Sequence, residues 1–149
     1  MKYFLLVFLI TNTIDSLAQN KEDSVKNVVQ TLFLAMKNAD TALLKTSFAD
    51  SAILQTIVAD KQGIIKIRNE QLQEFVDFIS KEEKGNADER IIFETIKIDG
   101  PLAFVWTPYK FYYKGKFSHC GVNSFQLVKL SGSWKIQYLI DTRRKDNCE

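Results

Sequence analysis

This sequence predicts an α+β fold in which helices lead and an antiparallel meander of strands follows. Three observations carry that prediction. Between residues 22 and 38, Val25, Val28, Val29, Leu32, Phe33 and Met36 recur at helical spacing and form one apolar stripe. From Ile91 onward the apolar period is two, as in strands. That second stretch is cut by Asp99-Gly100, Lys114-Gly115 and Ser131-Gly132, each a hairpin-turn signal. Helices in the first half and strands in the second make the class α+β.

The chain has 149 residues, which suits one domain. Hydrophobic residues are 46% and charged residues 26%, a globular rather than a disordered balance. Lys+Arg 20 against Asp+Glu 18 leaves a net charge of +2, too even for a nucleic-acid or anionic-membrane partner. The start is different in kind. Lys2 precedes the apolar run Tyr3 to Ile10, and Ser16 and Ala18 put small residues before a cut at Gln19. That is the pattern of a secretory signal peptide, and the run is too short to span a bilayer. The expected organisation is a signal peptide over 1–18 and a single domain over 19–149, periplasmic or secreted, with no membrane attachment after cleavage. A mature domain of about 130 residues buries about two-thirds of its unfolded surface, enough for one core and a pocket. Cys120 and Cys148 are an even count, so an oxidising compartment allows a disulfide between them. Their spacing matches no metal motif, and neither a metal nor a cofactor is expected.

Taken in order, the first helix spans Glu22 to Asn38, with Asp23 or Ser24 at its start. Asp40 or Thr41 caps a short second helix, Ala42 to Ser47, that buries Leu43, Leu44 and Phe48. Ala52 to Ala59 alternates as a strand, Asp60 to Gly63 turns, and Ile64 to Ile67 returns. Asn69 would cap a third helix, Glu70 to Lys81, whose face is Leu72, Phe75, Val76 and Ile79. The charged run from Lys81 to Arg90 reads as a solvated loop. Ile91 to Ile98, Leu102 to Tyr113, Lys116 to Leu130 and Ser133 to Thr142 then form the meander.

Turn positions fix which side chains share a face. With two-residue turns at Lys114-Gly115 and Ser131-Gly132, Trp106 pairs with Asn123, Phe104 with Phe125, and Phe125 with Tyr138. One face then carries Leu102, Phe104, Trp106, Phe117, His119, Asn123, Phe125, Leu127, Trp134, Ile136, Tyr138 and Ile140. Helices must cover it. It is apolar at one end and gains Trp106, His119, Asn123, Tyr138, Thr142 and Arg144 at the other. Apolar walls with a few fixed polar groups are the composition of a small-molecule site. The opposite face carries Ala103, Val105, Thr107, Tyr109 and Phe111 and is free to pack on another subunit.

The stretch W-T-P-Y-K-F-Y-Y-K-G-K-F-S-H-C-G-V-N-S-F-Q-L (Trp106 to Leu127), followed by G-S-W-K-I and D-T-R-R-K, resembles small exported members of the nuclear transport factor 2-like superfamily, in its SnoaL-like and lumazine-binding subgroup. Val25 to Ala52 is similar to that superfamily's first two helices and entry strand. The resemblance covers roughly Asp23 to Cys148. It implies a cone, a strongly bent sheet wrapped around a long helix with a pocket at one end, and homodimers through the outer sheet face. It implies no particular reaction, since the superfamily holds isomerases, dehydratases and many non-enzymes.

The chain's only histidine, His119, is a candidate general acid or base, and Asp141 is its candidate partner. Simple alternation puts Asp141 on the far face, so such a dyad requires a β-bulge near Leu139 to Asp141, where three apolar residues run together at Tyr138-Leu139-Ile140. Arg143 and Arg144 follow. One would pin Asp141, and the other could hold a carboxylate or phosphate. No glycine-rich phosphate loop, G-x-S-x-G or H-E-x-x-H occurs. The leading expectation is an exported protein binding a small, partly aromatic or amphipathic molecule without catalysis, through Trp106, Tyr109, His119, Asn123 and Arg144. The alternatives are an isomerase or dehydratase using His119 or Asp141, and an interaction domain using the outer face.

Overall fold

The structure is a computed structural model that describes residues 12–148, with side chains from residue 21. The apolar run of the expected leader lies outside the described residues. Helix α1 (Asn12–Asn38) already runs through the expected cut before Gln19. Val25, Val29, Leu32, Ala35 and Met36 are its buried stripe, each large aliphatic among them contributing about 1.5–3 kcal/mol by leaving water. Helix α2 (Thr41–Thr46) starts where Asp40 accepts a hydrogen bond from the Leu43 amide at 2.9 Å.

Strands β1 (Phe48–Ala59) and β2 (Ile65–Glu70) form a hairpin. Helix α3 (Leu72–Ser80) follows, buried through Val76 and Ile79. Gln71, not Asn69, begins this helix: Glu74 accepts from the Gln71 amide in a reciprocal capping box, while Asn69 stays in β2 and takes a hydrogen bond from Gln55. The expected solvated loop is a correction in part. Ala87–Ile91 is strand β3, with Ala87 fully buried. After a break at residues 92–94 comes β4 (Thr95–Asp99), so the strand expected over Ile91 to Ile98 is two strands on one edge of β5 (Leu102–Tyr113). Strands β6 (Lys116–Leu130) and β7 (Ser133–Thr142) complete the sheet.

The sheet has seven strands in the order β2-β1-β7-β6-β5-β3, with β4 also on β5. It is curved, unclosed and mixed: β1 runs parallel to β7, where a wholly antiparallel sheet was expected. Helices α1 and α3 fill its concave side around Phe125, Leu127, Ile136 and Val105, and Phe33 meets Phe125 edge-on at 6.1 Å. The two glycine turns form as expected, with positive φ at Lys114-Gly115 and at Ser131-Gly132.

The registers beyond those turns do not run straight. Tyr112 pairs with Phe117, but Phe111 pairs with His119, so Ser118 is an extra residue in β6. Likewise Leu127 pairs with Ile136 and Gln126 with Tyr138, so Gln137 is extra in β7. Each bulge turns over the faces of everything beyond it. The first puts Ala103, Val105, Thr107 and Tyr109 on the helix side, all buried, and leaves Leu102 and Trp106 outside at 49% and 37% exposure. The second puts Leu139 and Asp141 inside. Trp106 therefore pairs with Ser124, and Asn123 with Thr107 and Asp141. The face predicted for β5, and for Phe117, Tyr138 and Ile140, is corrected accordingly.

Candidate functional site

A cavity of about 270 Å³ opens between α1, α3 and the concave sheet. Its apolar walls are Leu32, Phe33 and Met36 from α1, Phe75 and Phe78 from α3, and Leu54, Phe111 and Leu139 from the sheet. These are residues that amphipathic helices and inward strand positions must bury, and most of them pack on the core around the hollow. The polar groups gather on one side: Glu89, Tyr109, His119, Asn123, Asp141 and Arg143, with Glu70 beside them.

Two bulges and one glycine build that side. The Ser118 bulge aims His119 inward, against Phe111 at 5.0 Å and edge-on to Tyr109 at 5.7 Å. Its Nδ1 lies 3.1 Å from Ser118 Oγ. The Gln137 bulge turns Asp141 inward. Gly121 lets β6 and the end of β7 close up, because a Cβ there would lie 1.7 Å from the Thr142 carbonyl oxygen and 2.9 Å from the Tyr109 ring. In that tight corner the Tyr109 hydroxyl is shared between Asp141 Oδ2 at 3.1 Å and the Thr142 carbonyl at 2.9 Å. Arg143 Nε donates to the same Asp141 oxygen at 2.8 Å.

The second polar unit is Glu89 with Asn123. Asn123 Nδ2 donates to Glu89 Oε1 at 2.8 Å, spanning β5 from β6 to β3. Burial pushes the Glu89 carboxyl up from 4.5 to about 7, and the Asp141 charge adds to this; Asn123 and Arg143 pull the other way and are outweighed. Burial, and the Asp141 and Glu89 charges, raise Tyr109, so its hydroxyl keeps its proton. His119 is lowered, first by burial and then by Arg143, which favours the neutral ring. For Arg143, burial opposes the charge, but Asp141, Tyr109 and Glu70 together hold the guanidinium above its ordinary value.

Of the residues expected as ligand contacts, Tyr109, His119 and Asn123 line this cavity, and so does Asp141. Trp106 does not: the Ser118 bulge sends it to the outer face, 6.3 Å from Phe104. Arg144 does not either. Its backbone bridges Cys120 in both directions at 2.9 Å, and its side chain donates to the Asn147 carbonyl. Arg143 takes the inward place. A dyad of His119 with Asp141 is not formed, since Asp141 is held by Tyr109 and Arg143. Cys120 and Cys148 are joined in a disulfide that ties the tail to β6, their Cα atoms 5.8 Å apart. Glu89 was missed. The signal for it is the alternation Ala87, Glu89, Ile91 against Asp88, Arg90: with Ala87 and Ile91 facing in, Glu89 must follow. Asp88 on the other side ion-pairs with Lys37 at 3.0 Å and Arg90 at 3.0 Å.

Among the described residues no group of three His, Cys, Asp or Glu is placed to hold a metal ion. Nor is any described helix long and apolar enough to cross a membrane.

The fold is shared widely. A nuclear transport factor 2-like (NTF2-like) protein of unknown function from Shewanella baltica OS155 superposes with a TM-score of 0.66 at 16% identity, covering 86% of this chain and 97% of that one. A second, from Methylobacillus flagellatus KT, gives 0.65 at 19% identity, covering 84% and 93%. A protein from Streptomyces avermitilis described as a "putative dehydratase from the NTF2-like family" gives 0.63 at 12% identity, covering 85% and 98%. At such identities the likeness establishes the fold alone. No curated protein matches the chain. Residues 20–137 match the family described as "Putative lumazine-binding", and the chain belongs to that family.

Proposed function

We propose that this chain is an exported protein, periplasmic or secreted, that binds a small, flat, uncharged molecule in the cavity between α1, α3 and the sheet. One observation carries the reading: a hollow walled by phenylalanines and leucines on most sides and by an ordered polar cluster on one. That division suits a ring system whose one edge is polar. The volume, about 270 Å³, falls just under the usual range for small-molecule sites and suits one or two fused rings. The family's description makes lumazine, a two-ring heterocycle, a natural first probe. The leader pattern and the disulfide support export.

The test is thermal stabilisation across a panel of one- and two-ring compounds that includes lumazine. A ligand at about 100 times its Kd adds about 2.7 kcal/mol to the folded state. Dose-dependent stabilisation that disappears when the cavity is filled by Leu139→Trp supports the reading. A panel with no hit at millimolar concentration refutes it.

Acid–base catalysis is the second reading, and Glu89 favours it: a carboxyl that titrates near neutrality in a cavity can both give and take a proton. His119 and Asp141, the candidates from sequence, are less suited, because Asp141 is committed to Arg143 and Tyr109. Turnover of a panel substrate that survives Glu89→Gln sinks this version. The outer face, with Leu102, Trp106 and Ile53 exposed, is proposed to pair two copies into a homodimer. Sedimentation of wild type and Trp106→Glu tests that, a monomer in both cases refuting it.

A further inference from the structure

We infer that Glu89 and Asn123 together form the recognition edge of the cavity, and that they read an uncharged amide edge, an N–H beside a C=O, on a planar ring. This rests on the proposed cavity binding and goes further by naming the chemistry it selects.

Asn123 Nδ2 is spent on Glu89 Oε1. Glu89 Oε2 meets no protein donor among the described residues, and neither does Asn123 Oδ1. Among the described residues the buried side-chain atoms sealed away without a partner are Ser47 Oγ and Thr107 Oγ1, so the two free oxygens of this pair keep some accessible surface, and both residues line the cavity. With its proton on, Glu89 presents a donor at Oε2, and Asn123 presents an acceptor at Oδ1. A donor beside an acceptor is the complement of an amide edge. The ligand's carbonyl accepts from Glu89 and its N–H donates to Asn123.

The surroundings keep that donor in place. Lining the cavity with Glu89 are Asp141 from β7, Arg143 just after it, Tyr109 from β5, His119 from β6 and Glu70 from the end of β2. Asp141 and Arg143 cancel one another at 2.8 Å. Tyr109 is uncharged, and its hydroxyl is engaged with Asp141 and the Thr142 carbonyl. His119 is held toward its neutral form. The charges nearest the pair are thus partly compensated by one another. When Glu89 ionises, its side of the edge becomes acceptor only and the match to a carbonyl is lost.

The experiment is calorimetric titration with 2-quinolone, which carries the edge, and N-methyl-2-quinolone, which lacks the N–H. At about pH 5.5 the wild type should prefer 2-quinolone by about tenfold, the worth of one well-made hydrogen bond. At about pH 8.5, above the Glu89 transition, 2-quinolone should bind several-fold more weakly. Glu89→Gln carries a permanent donor and acceptor, so it should keep the preference at both pH values. Glu89→Leu should bind both rings several-fold more weakly than wild type at about pH 5.5, because it removes the donor to the carbonyl that both carry, and should keep the preference that Asn123 sets. If wild type shows no preference, or Glu89→Leu binds both probes as wild type does, the recognition edge is refuted and the cavity reading stands. If neither probe binds any of the three proteins, both are refuted.

Discussion

Glu89 gives a stability signature that needs no ligand. The carboxyl titrates at 4.5 in the open chain and at about 7 in the fold, because burial and the Asp141 charge disfavour its anion. Below about pH 4.5 both states hold the proton and the group is neutral in the balance. From there to about pH 7 the unfolded chain releases the proton while the folded one keeps it, so stability falls as pH rises. Above about pH 7 the loss is complete and amounts to roughly 3 kcal/mol. That is a large part of the 5–15 kcal/mol that holds a typical domain together. Glu89→Gln keeps the shape and the hydrogen bond from Asn123 but cannot ionise. Urea unfolding of both proteins at about pH 4.5 and about pH 8.5 isolates the effect, since the two chains differ only at this side chain. The variant should match wild type at the lower pH. At the higher it should unfold at about 1.5 M more urea, for a slope of about 2 kcal/mol per molar. An equal difference at both pH values, or a variant weaker than wild type at the higher, would show that Glu89 is solvated as an ordinary carboxylate and would refute the reasoning.

Gly121→Ala is expected to be among the most damaging single-methyl changes available, because the added carbon would overlap the Thr142 carbonyl at 1.7 Å. The β6–β7 corner must part, costing about 3 kcal/mol or more, read as a drop in melting temperature. A stability within about 0.5 kcal/mol of wild type would mean that the corner is not closed as described. Cys120→Ala with Cys148→Ala opens a link that spans 28 residues, and the chain-entropy relation gives about 3–4 kcal/mol for it. Melting in oxidising buffer should drop for this variant, and reductant should bring wild type down to meet it. No change on either treatment would mean the link is not made in solution.

Much of the fold was legible because it follows from local chemistry. The α1 stripe, the Asp40 cap and both glycine turns require only neighbours in sequence, and each forms where its residues dictate. What was not legible depends on partners far along the chain. The sequence around Asn69 and Gln71 offers two starts for α3, and Asn69 is drawn into β2 because Gln55 on the facing strand binds it. The run from Lys81 to Arg90 looks solvated by composition, yet its last residues are an edge strand because β5 offers a free ladder there. Charge alone hid Glu89 within it.

The site itself turned on two residues that belong to neither face, Ser118 and Gln137. Alternation read outward from a glycine turn is sound until the first bulge, after which every assignment inverts. In β5 both faces are apolar, Leu102-Phe104-Trp106 on one and Ala103-Val105-Thr107 on the other, so hydrophobicity could not choose between them. Burial distinguishes them in the structure: Ala103, Val105 and Thr107 are fully buried, while Leu102 and Trp106 are exposed. The same inversion that moves Trp106 outward brings Tyr109 inward, and the one in β7 exchanges Ile140 for Asp141. The polar side of the cavity is thus a product of the bulges: with straight strands Tyr109 and Asp141 would lie on the outer face, and Glu89, which pairs with Phe111 of β5, would turn outward with them.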